Sequence, residues 1–398
     1  MSTESTKTKS LQPVQATERI VALDVLRGFA ILAVLVAFTM WNLGSPSSDT
    51  YGTFDYVLDY VLAIIVDTKA YTLLAFLFGL GFSIQMNRAG QRGESIVPVY
   101  VRRLLALMLI GVAHSILLRN GDILVPYATL GFVLLLFRNA SNRVLLVGVI
   151  IGAVFQYAVQ ALWQYSGIPI PQRPDTTGMG HIASNLVWSA YWYKTAIIHW
   201  PAALPMFLAG LYVGRRRLLE NVAEHRRGLR QILVAGLCIG VVAFVGRLLV
   251  IRGRSYNAYA ASLVDVSVNL LWSIHAWGLA AFYASAVLLV LQRPGFQKFS
   301  SVFSAVGRMS LTNYLLQSIL VVPICIVFDL YDNVTPSLGL LLAVLVALVQ
   351  IPLSVVWLKH FRFGPAEWLW RSITYWKPQP MRLGGRSSSA SAELSVAE

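Results

Sequence analysis

The sequence predicts an all-α, polytopic membrane bundle of about ten transmembrane helices. Both termini are placed in the cytoplasm, and interfacial amphipathic helices complete the fold. Three observations carry this. Of 398 residues, 57% are hydrophobic and 13% charged, with mean hydropathy +0.64, whereas a soluble domain carries about 25% charged residues. Ten apolar segments approach the roughly 20 residues needed to cross hydrocarbon. The basic residues alternate between the loops: with the N-terminus inside, inner segments hold 23 Lys or Arg and outer loops five. That asymmetry follows the positive-inside rule. It also accounts for the net charge of +14 without a nucleic-acid partner.

The first span covers 20–48 and contains Asp24 and Arg27. No small-residue cleavage site follows, so it reads as an uncleaved span. Residues 54–66 are apolar but interrupted by Asp55 and Asp59, and read as a helix lying at the outer interface. Spans two to five cover 70–87, 104–118, 123–137 and 144–172. In the second, Gly79 and Gly81 read as close helix packing. Residues 173–194 form the longest outer loop, a candidate lid rich in Pro, Gly, Thr and aromatics. Spans six to ten cover 195–214, 231–246, 264–292, 302–328 and 335–358. Residues 364–371 (G-P-A-E-W-L-W-R) open a short cytoplasmic amphipathic helix. Proline suits its first turn, and Glu367 and Arg371 stand i,i+4. Residues 1–18 and 377–398 read as disordered cytoplasmic termini around one transmembrane domain, 19–376. Cys238 and Cys325 lie in apolar runs, and no disulfide framework or metal motif is present.

Ionisable groups inside or beside spans mark candidate sites. His114 ends the third span and Asp122 opens the fourth. A carboxylate that orients an imidazole is the arrangement of a general base. His199 opens span six and His275 lies mid-span in the eighth. Spans three and four have only about 15 residues, roughly 22 Å against a core of about 30 Å. The hairpin joining them therefore sinks below the outer surface, or its arginines snorkel. Asp24 and Arg27 share a face of the first helix, as an ion pair or as the wall of an inner cavity. Arg308 enters the ninth span, where Asp24 is the acidic residue at similar depth. Asn313 and Gln317 form a polar pair at i,i+4, which interhelical hydrogen bonds explain. No phosphate-cradling glycine loop, zinc spacing or G-x-S-x-G element appears.

Five motifs resemble the YeiB-like family of bacterial inner-membrane proteins. They are L-D-V-L-R-G-F-A-I-L (23–32), L-L-A-F-L-F-G-L-G (73–81), H-S-I-L-L-R-N-G-D-I-L (114–124), V-G-R-M-S-L-T-N-Y-L-L-Q-S (306–318) and F-R-F-G-P-A-E-W-L-W-R (361–371). They run in order over about residues 19–376. Where the family commonly has Gly after the motif histidine, this chain has Ser115. The family is similar, more distantly, to transmembrane acyltransferases such as the heparan-glucosaminide acetyltransferases. That likeness implies a ten-span bundle that takes acyl-CoA from the cytoplasm, with His114 at the position of the base or acyl carrier.

The leading expectation is therefore an acyltransferase of the bacterial inner membrane. Arg102, Arg103 and Arg308 would hold phosphates, and Asp24 and Arg27 would wall the donor cavity. His114, oriented by Asp122, would activate a hydroxyl or amine, and Asn313 would polarise the thioester carbonyl. The partners are membrane lipids and acyl-CoA or another small molecule, with a homodimer left open. The alternatives are a small-molecule transporter, for which internal repeats are lacking, and a CoA-binding membrane protein without turnover.

Overall fold

The computed structural model describes residues 20–43, 51–165, 174–176, 178–196, 200–218, 224–252 and 263–383. The described chain is helical. α1 (Val21–Trp41), α2 (Thr53–Ile65), α3 (Lys69–Gln91), α4 (Val97–Leu117) and α5 (Leu124–Leu136) form its first part. α6 (Asn142–Tyr165), α7 (His181–Lys194), α8 (Leu204–Arg215), α9 (Arg226–Ile251) and α10 (Leu263–Val290) follow. α11 (Gln297–Arg308), α12 (Ser310–Val327), α13 (Pro336–His360) and α14 (Pro365–Tyr375) complete it. Among the described residues, eight helical segments are long and apolar enough to cross a membrane. The chain is a multi-pass helical membrane protein.

Two of the ten predicted spans are short helices. α5 has 13 residues and α8 has 12, roughly 20 Å and 18 Å of helix. Pro201 and Pro205 explain α8, since residues 200–203 form a 3₁₀ turn before it. Span three, which the sequence suggested to be short, is not. α4 has 21 residues, because Arg102 and Arg103 lie within its first turns. The expected outer loop 173–194 is largely the helix α7. The predicted ninth span is two helices that break at Met309 (φ −111°, ψ 30°). Residues 377–383, expected to begin a disordered tail, fold back instead. Arg362 N–H donates to Met381 O (2.9 Å) and Leu383 N–H to His360 O (3.1 Å). Residues 1–18 and 384–398, the rest of the expected disordered termini, lie outside the described residues, as does His199.

Lipid chains are as apolar as leucine, so close packing rather than apolar burial joins such helices. α1 and α11 meet backbone to backbone. A Cβ on Gly28 would lie 2.0 Å from Phe303 O, and one on Gly307 1.8 Å from Asp24 O. α3 and α8 meet in the same way through Gly79, as the sequence suggested, and Gly210. Gly81 differs: it faces the Arg27 guanidinium, 3.2 Å from where its Cβ would stand. Leu146 and Ile150 of α6, Val242 and Leu249 of α9, and Leu348 of α13 stay exposed, which suits contact with lipid.

The α1–α11 seam carries a prediction. Overpacking costs about 1–3 kcal/mol where the backbone can yield and more where it cannot. Gly307→Val is therefore expected to remove most monodisperse protein in detergent or to lower its thermal midpoint sharply. A wild-type midpoint would refute the seam.

α2 lies apart from the core, with no buried residue. Asp55 accepts from Ser337 N at the start of α13 (2.7 Å), and Asp59 from Trp41 Nε1 (2.8 Å). The two aspartates that interrupt this apolar run thus tie the ends of α1 and α13 together. At the opposite, basic end, Arg215 donates to the carbonyls of Phe137, Arg138 and Ala140. This joins α8 to the α5–α6 turn.

Candidate active site

The centre of the site is the turn between α4 and α5. Leu118 and Arg119 N–H both return to His114 O (3.0 Å each), and Gly121 takes a positive φ of 73°. The tight turn brings Asp122 under the end of α4. Asp122 Oδ2 accepts from Leu124 N (2.7 Å) and Val125 N (3.0 Å), capping α5 as a short acidic side chain does. Oδ1 contacts His114 Nδ1 (2.9 Å) and accepts from the Tyr314 hydroxyl (3.1 Å). The Tyr314 hydroxyl oxygen in turn accepts from Ile123 N (3.3 Å).

The other face of the imidazole meets Ser318: His114 Nε2 and Ser318 Oγ are 2.9 Å apart. The accepting role of Asp122 assigns the proton to Nδ1. Nε2 is then the acceptor for the Ser318 hydroxyl. His114, Asp122 and Ser318 are 3%, 8% and 2% exposed, so bulk water does not compete for these bonds. Gly111 leaves the room that Asp122 needs, since a Cβ there would lie 2.7 Å from Oδ2.

α7 covers this centre from outside. Asn185 donates to Ile116 O (3.3 Å) and accepts from Asn120 N (3.3 Å). His181 Nε2 meets Leu118 O (2.9 Å). Ser189 Oγ donates to Ser115 O (3.4 Å), and the Tyr193 and Ser115 hydroxyls are 3.3 Å apart. Ser115, where the resembling family commonly has Gly, thus serves the cover.

A cavity of about 290 Å³ approaches the centre from the basic end. Its mouth carries Arg27, Arg88, Arg103, Arg308 and Arg371, with Asp24 and Gln85. Its inner end is apolar, with Ile31, Leu74, Leu107 and Leu124, and includes Tyr314. Tyr314 is therefore the link: its ring borders the cavity and its hydroxyl bonds the carboxylate that holds His114. Arg103 is fixed in place, donating to Gln85 Oε1 (2.9 Å) with its guanidinium 4.1 Å from the Trp370 ring centre. Asp24 pairs with Arg27 at 3.5 Å. Tyr100 also lines the cavity, 1% exposed, and its hydroxyl has no hydrogen-bond partner in the described structure.

Glu367 explains the break at Met309. It does not act as the i,i+4 partner of Arg371. It accepts from Leu311 N (2.6 Å), Thr312 N (3.1 Å) and Thr312 Oγ1 (2.5 Å), so it starts α12 from the side. Arg371 instead lies over the Phe363 ring (4.5 Å). Burial raises the Glu367 carboxyl above its ordinary 4.5, against the pull of those bonds from Thr312 and Leu311. For a carboxyl raised in the folded state, the stabilising contribution is complete below pH 4.5 and is lost as pH climbs through the raised value. Glu367→Gln is expected to flatten that part of the midpoint-against-pH curve. Glu367→Ala strands three donors and should cost about 1–3 kcal/mol for each left unsatisfied. Thermal melts of both variants from acid to neutral pH check this.

The structure sorts the sequence-predicted residues. His114 and Asp122 meet as expected, and Asp24, Arg27, Arg103 and Arg308 line one cavity. Arg102 is exposed and does not line it. Arg308 donates to Arg362 O (3.3 Å). Asn313 bonds Val306 O (3.1 Å) and Ser354 Oγ (3.0 Å), and Gln317 bonds Ile31 O (3.1 Å), so both serve helix packing. Asn313 does not line the cavity. His275 meets two backbone carbonyls, Gly240 O (2.9 Å) and Ile64 O (3.1 Å). Sequence reasoning missed Ser318 and Tyr314. Their signal was present: they stand i,i+4 on the face of α12 beside the Asn313–Gln317 pair.

Residues 213–377 match the family described as "Protein of unknown function (DUF418)". The chain is 36% identical to the uncharacterized protein YxaH of Bacillus subtilis (strain 168), over 94% of this chain and 98% of that one. It is 29% identical to an uncharacterized protein from the amylase 3' region of Bacillus acidopullulyticus, over 94% and 99%. It is 27% identical to the uncharacterized protein YeiB of Escherichia coli (strain K12), over 90% and 96%. With a full-length relative at this identity, the chain belongs to the YeiB-like, DUF418 family of polytopic helical membrane proteins.

Proposed function

We propose that the protein is an acyltransferase of the bacterial inner membrane, moving an acyl group from cytoplasmic acyl-CoA to a hydroxyl or amine near the outer face. One observation carries this reading. A single cavity has an arginine-rich mouth at the basic end and an apolar inner end closed by Tyr314, one hydrogen bond from the Asp122–His114 pair. Anionic head outside, apolar arm inside and a base at the tip match an acyl thioester of CoA.

The parts divide as follows. Arg88, Arg103, Arg308 and Arg371 hold phosphates, for which guanidinium forks are suited; Arg88 and Arg371 take the role expected of Arg102. The cavity is near the small end of ligand pockets, so it takes the pantetheine arm and a short acyl chain and leaves the nucleotide on the basic surface. The unpartnered Tyr100 hydroxyl is placed for a pantetheine amide. His114 Nε2 takes the proton of the hydroxyl or amine that attacks the acyl carbon, and returns a proton to the group that leaves. Asp122 fixes the tautomer that makes Nε2 the base.

The break at Met309 favours transport as a second reading, since helix breaks at a cavity are a transporter device. Glu367 already fills the new N-terminus of α12, however, where an anionic cargo would bind. Purified protein in detergent should gain about 2.7 kcal/mol of stability at 100 times the CoA dissociation constant. A flat thermal midpoint at millimolar CoA and acetyl-CoA would overturn the acyl-CoA reading.

A further inference from the structure

We infer that Ser318 is a nucleophile, activated by His114 and Asp122, and that transfer proceeds through an acyl ester on Ser318. Four contacts support this. Ser318 Oγ stands 2.9 Å from His114 Nε2, His114 Nδ1 stands 2.9 Å from Asp122 Oδ1, and Asp122 Oδ2 is locked by two backbone N–H groups. A hydroxyl, an imidazole that accepts from it and a carboxylate that orients the imidazole are recognised as one unit by geometry, whatever the chain order. Three elements supply the unit here: α12, α4 and the turn into α5. Spacing along the chain therefore does not reveal it.

The placement of Ser318 suits a carrier. It follows Tyr314 by four residues, about 6 Å along α12. Tyr314 borders the cavity, and a thioester that enters the cavity meets it first. Ser318 and His114 are 2% and 3% exposed, so water is kept from an ester formed there. Exclusion of water is what separates a transferase from a hydrolase. α7, which covers the hairpin from outside, is then the side on which the acceptor arrives.

Ser318 Oγ–H gives its proton to His114 Nε2, and Oγ bonds the acyl carbon. The carbon–sulfur bond breaks, and the proton passes to the CoA thiolate, which leaves as the thiol. In the second half, an acceptor hydroxyl or amine gives its proton to Nε2 and bonds the acyl carbon. Ser318 Oγ departs and recovers that proton. The inference rests on the acyl-transfer reading for its donor, but the activated serine does not depend on CoA.

The test uses the full-length protein in detergent. Without acceptor, acetyl-[14C]CoA should give a burst of free CoA equal to the enzyme present. Acid-quenched digests should carry one acetyl group on the peptide containing Ser318. Ser318→Ala and His114→Ala should give neither, while keeping the wild-type midpoint shift with CoA. Ser318→Cys should regain an acetyl adduct, now a thioester released by hydroxylamine. Transfer by Ser318→Ala at the wild-type rate, or the label on His114, overturns the inference and leaves the acyl-CoA reading standing. Where CoA produces no midpoint shift, p-nitrophenyl acetate and a small fluorophosphonate replace it. Labelling of Ser318 that needs His114 then keeps the activated serine and removes CoA; no labelling removes the serine as well.

Discussion

His114→Ala is expected to lower acetyl transfer from acetyl-CoA by about 100-fold or more, the range of a positioned acid–base group. CoA affinity should stay within about two-fold, because His114 does not line the cavity proposed for the donor and such a change is within about 0.4 kcal/mol. kcat therefore falls and the donor KM does not. Asp122→Asn should be nearly as damaging with less disturbance of packing. Its amide can donate to Nδ1, which forces the proton onto Nε2 and removes the acceptor for Ser318. Gly111→Ala acts on the same pair without replacing either member, because the added Cβ would stand 2.7 Å from Asp122 Oδ2 and displace it. Equal transfer rates in all three variants would take the pair out of the chemistry.

Charge reversal at the mouth should do the opposite. Hydrogen bonds to charged groups contribute about 1.5–3 kcal/mol each, so Arg103→Glu is expected to weaken CoA binding about 10- to 100-fold. Arg103 lies inside the cavity, fixed by Gln85 and Trp370. Arg102→Glu is the control: it is one residue away but exposed, and should change affinity little. At saturating donor, kcat of Arg103→Glu should approach wild type. Isothermal titration with CoA and initial rates at varied acetyl-CoA separate the two effects. Similar losses for both arginines would mean a diffuse attraction to the basic face.

The apolar segments and the alternation of arginines made the bundle and its basic end legible from sequence, because hydrocarbon enforces both. The hairpin pair was legible as well, since His114 and Asp122 are eight residues apart and a tight turn leaves them little choice. The third member was not. Ser318 is 204 residues from His114, and a lone serine in an apolar helix reads as packing. α7 was hidden because Pro, Gly and aromatics before and within 173–194 resemble a loop, although the polar Asn185 and Ser189 share one face. The break at Met309 was hidden because its cause, Glu367, lies on another helix, 55 residues beyond the Thr312 it bonds. The sequence alone offered Arg371 as that carboxylate's nearer partner.

One measurement tests the cavity as the path to His114 most directly. A short-chain acyl-CoA carrying a diazirine at the end of its acyl chain is photolysed on the purified protein, and the adducts are mapped by mass spectrometry. The adducts should fall on the inner end of the cavity, on Ile31, Leu107, Leu124 and Tyr314, and unlabelled CoA should remove them. Adducts confined to lipid-facing residues such as Val242 and Leu348, unaffected by CoA, would contradict the account.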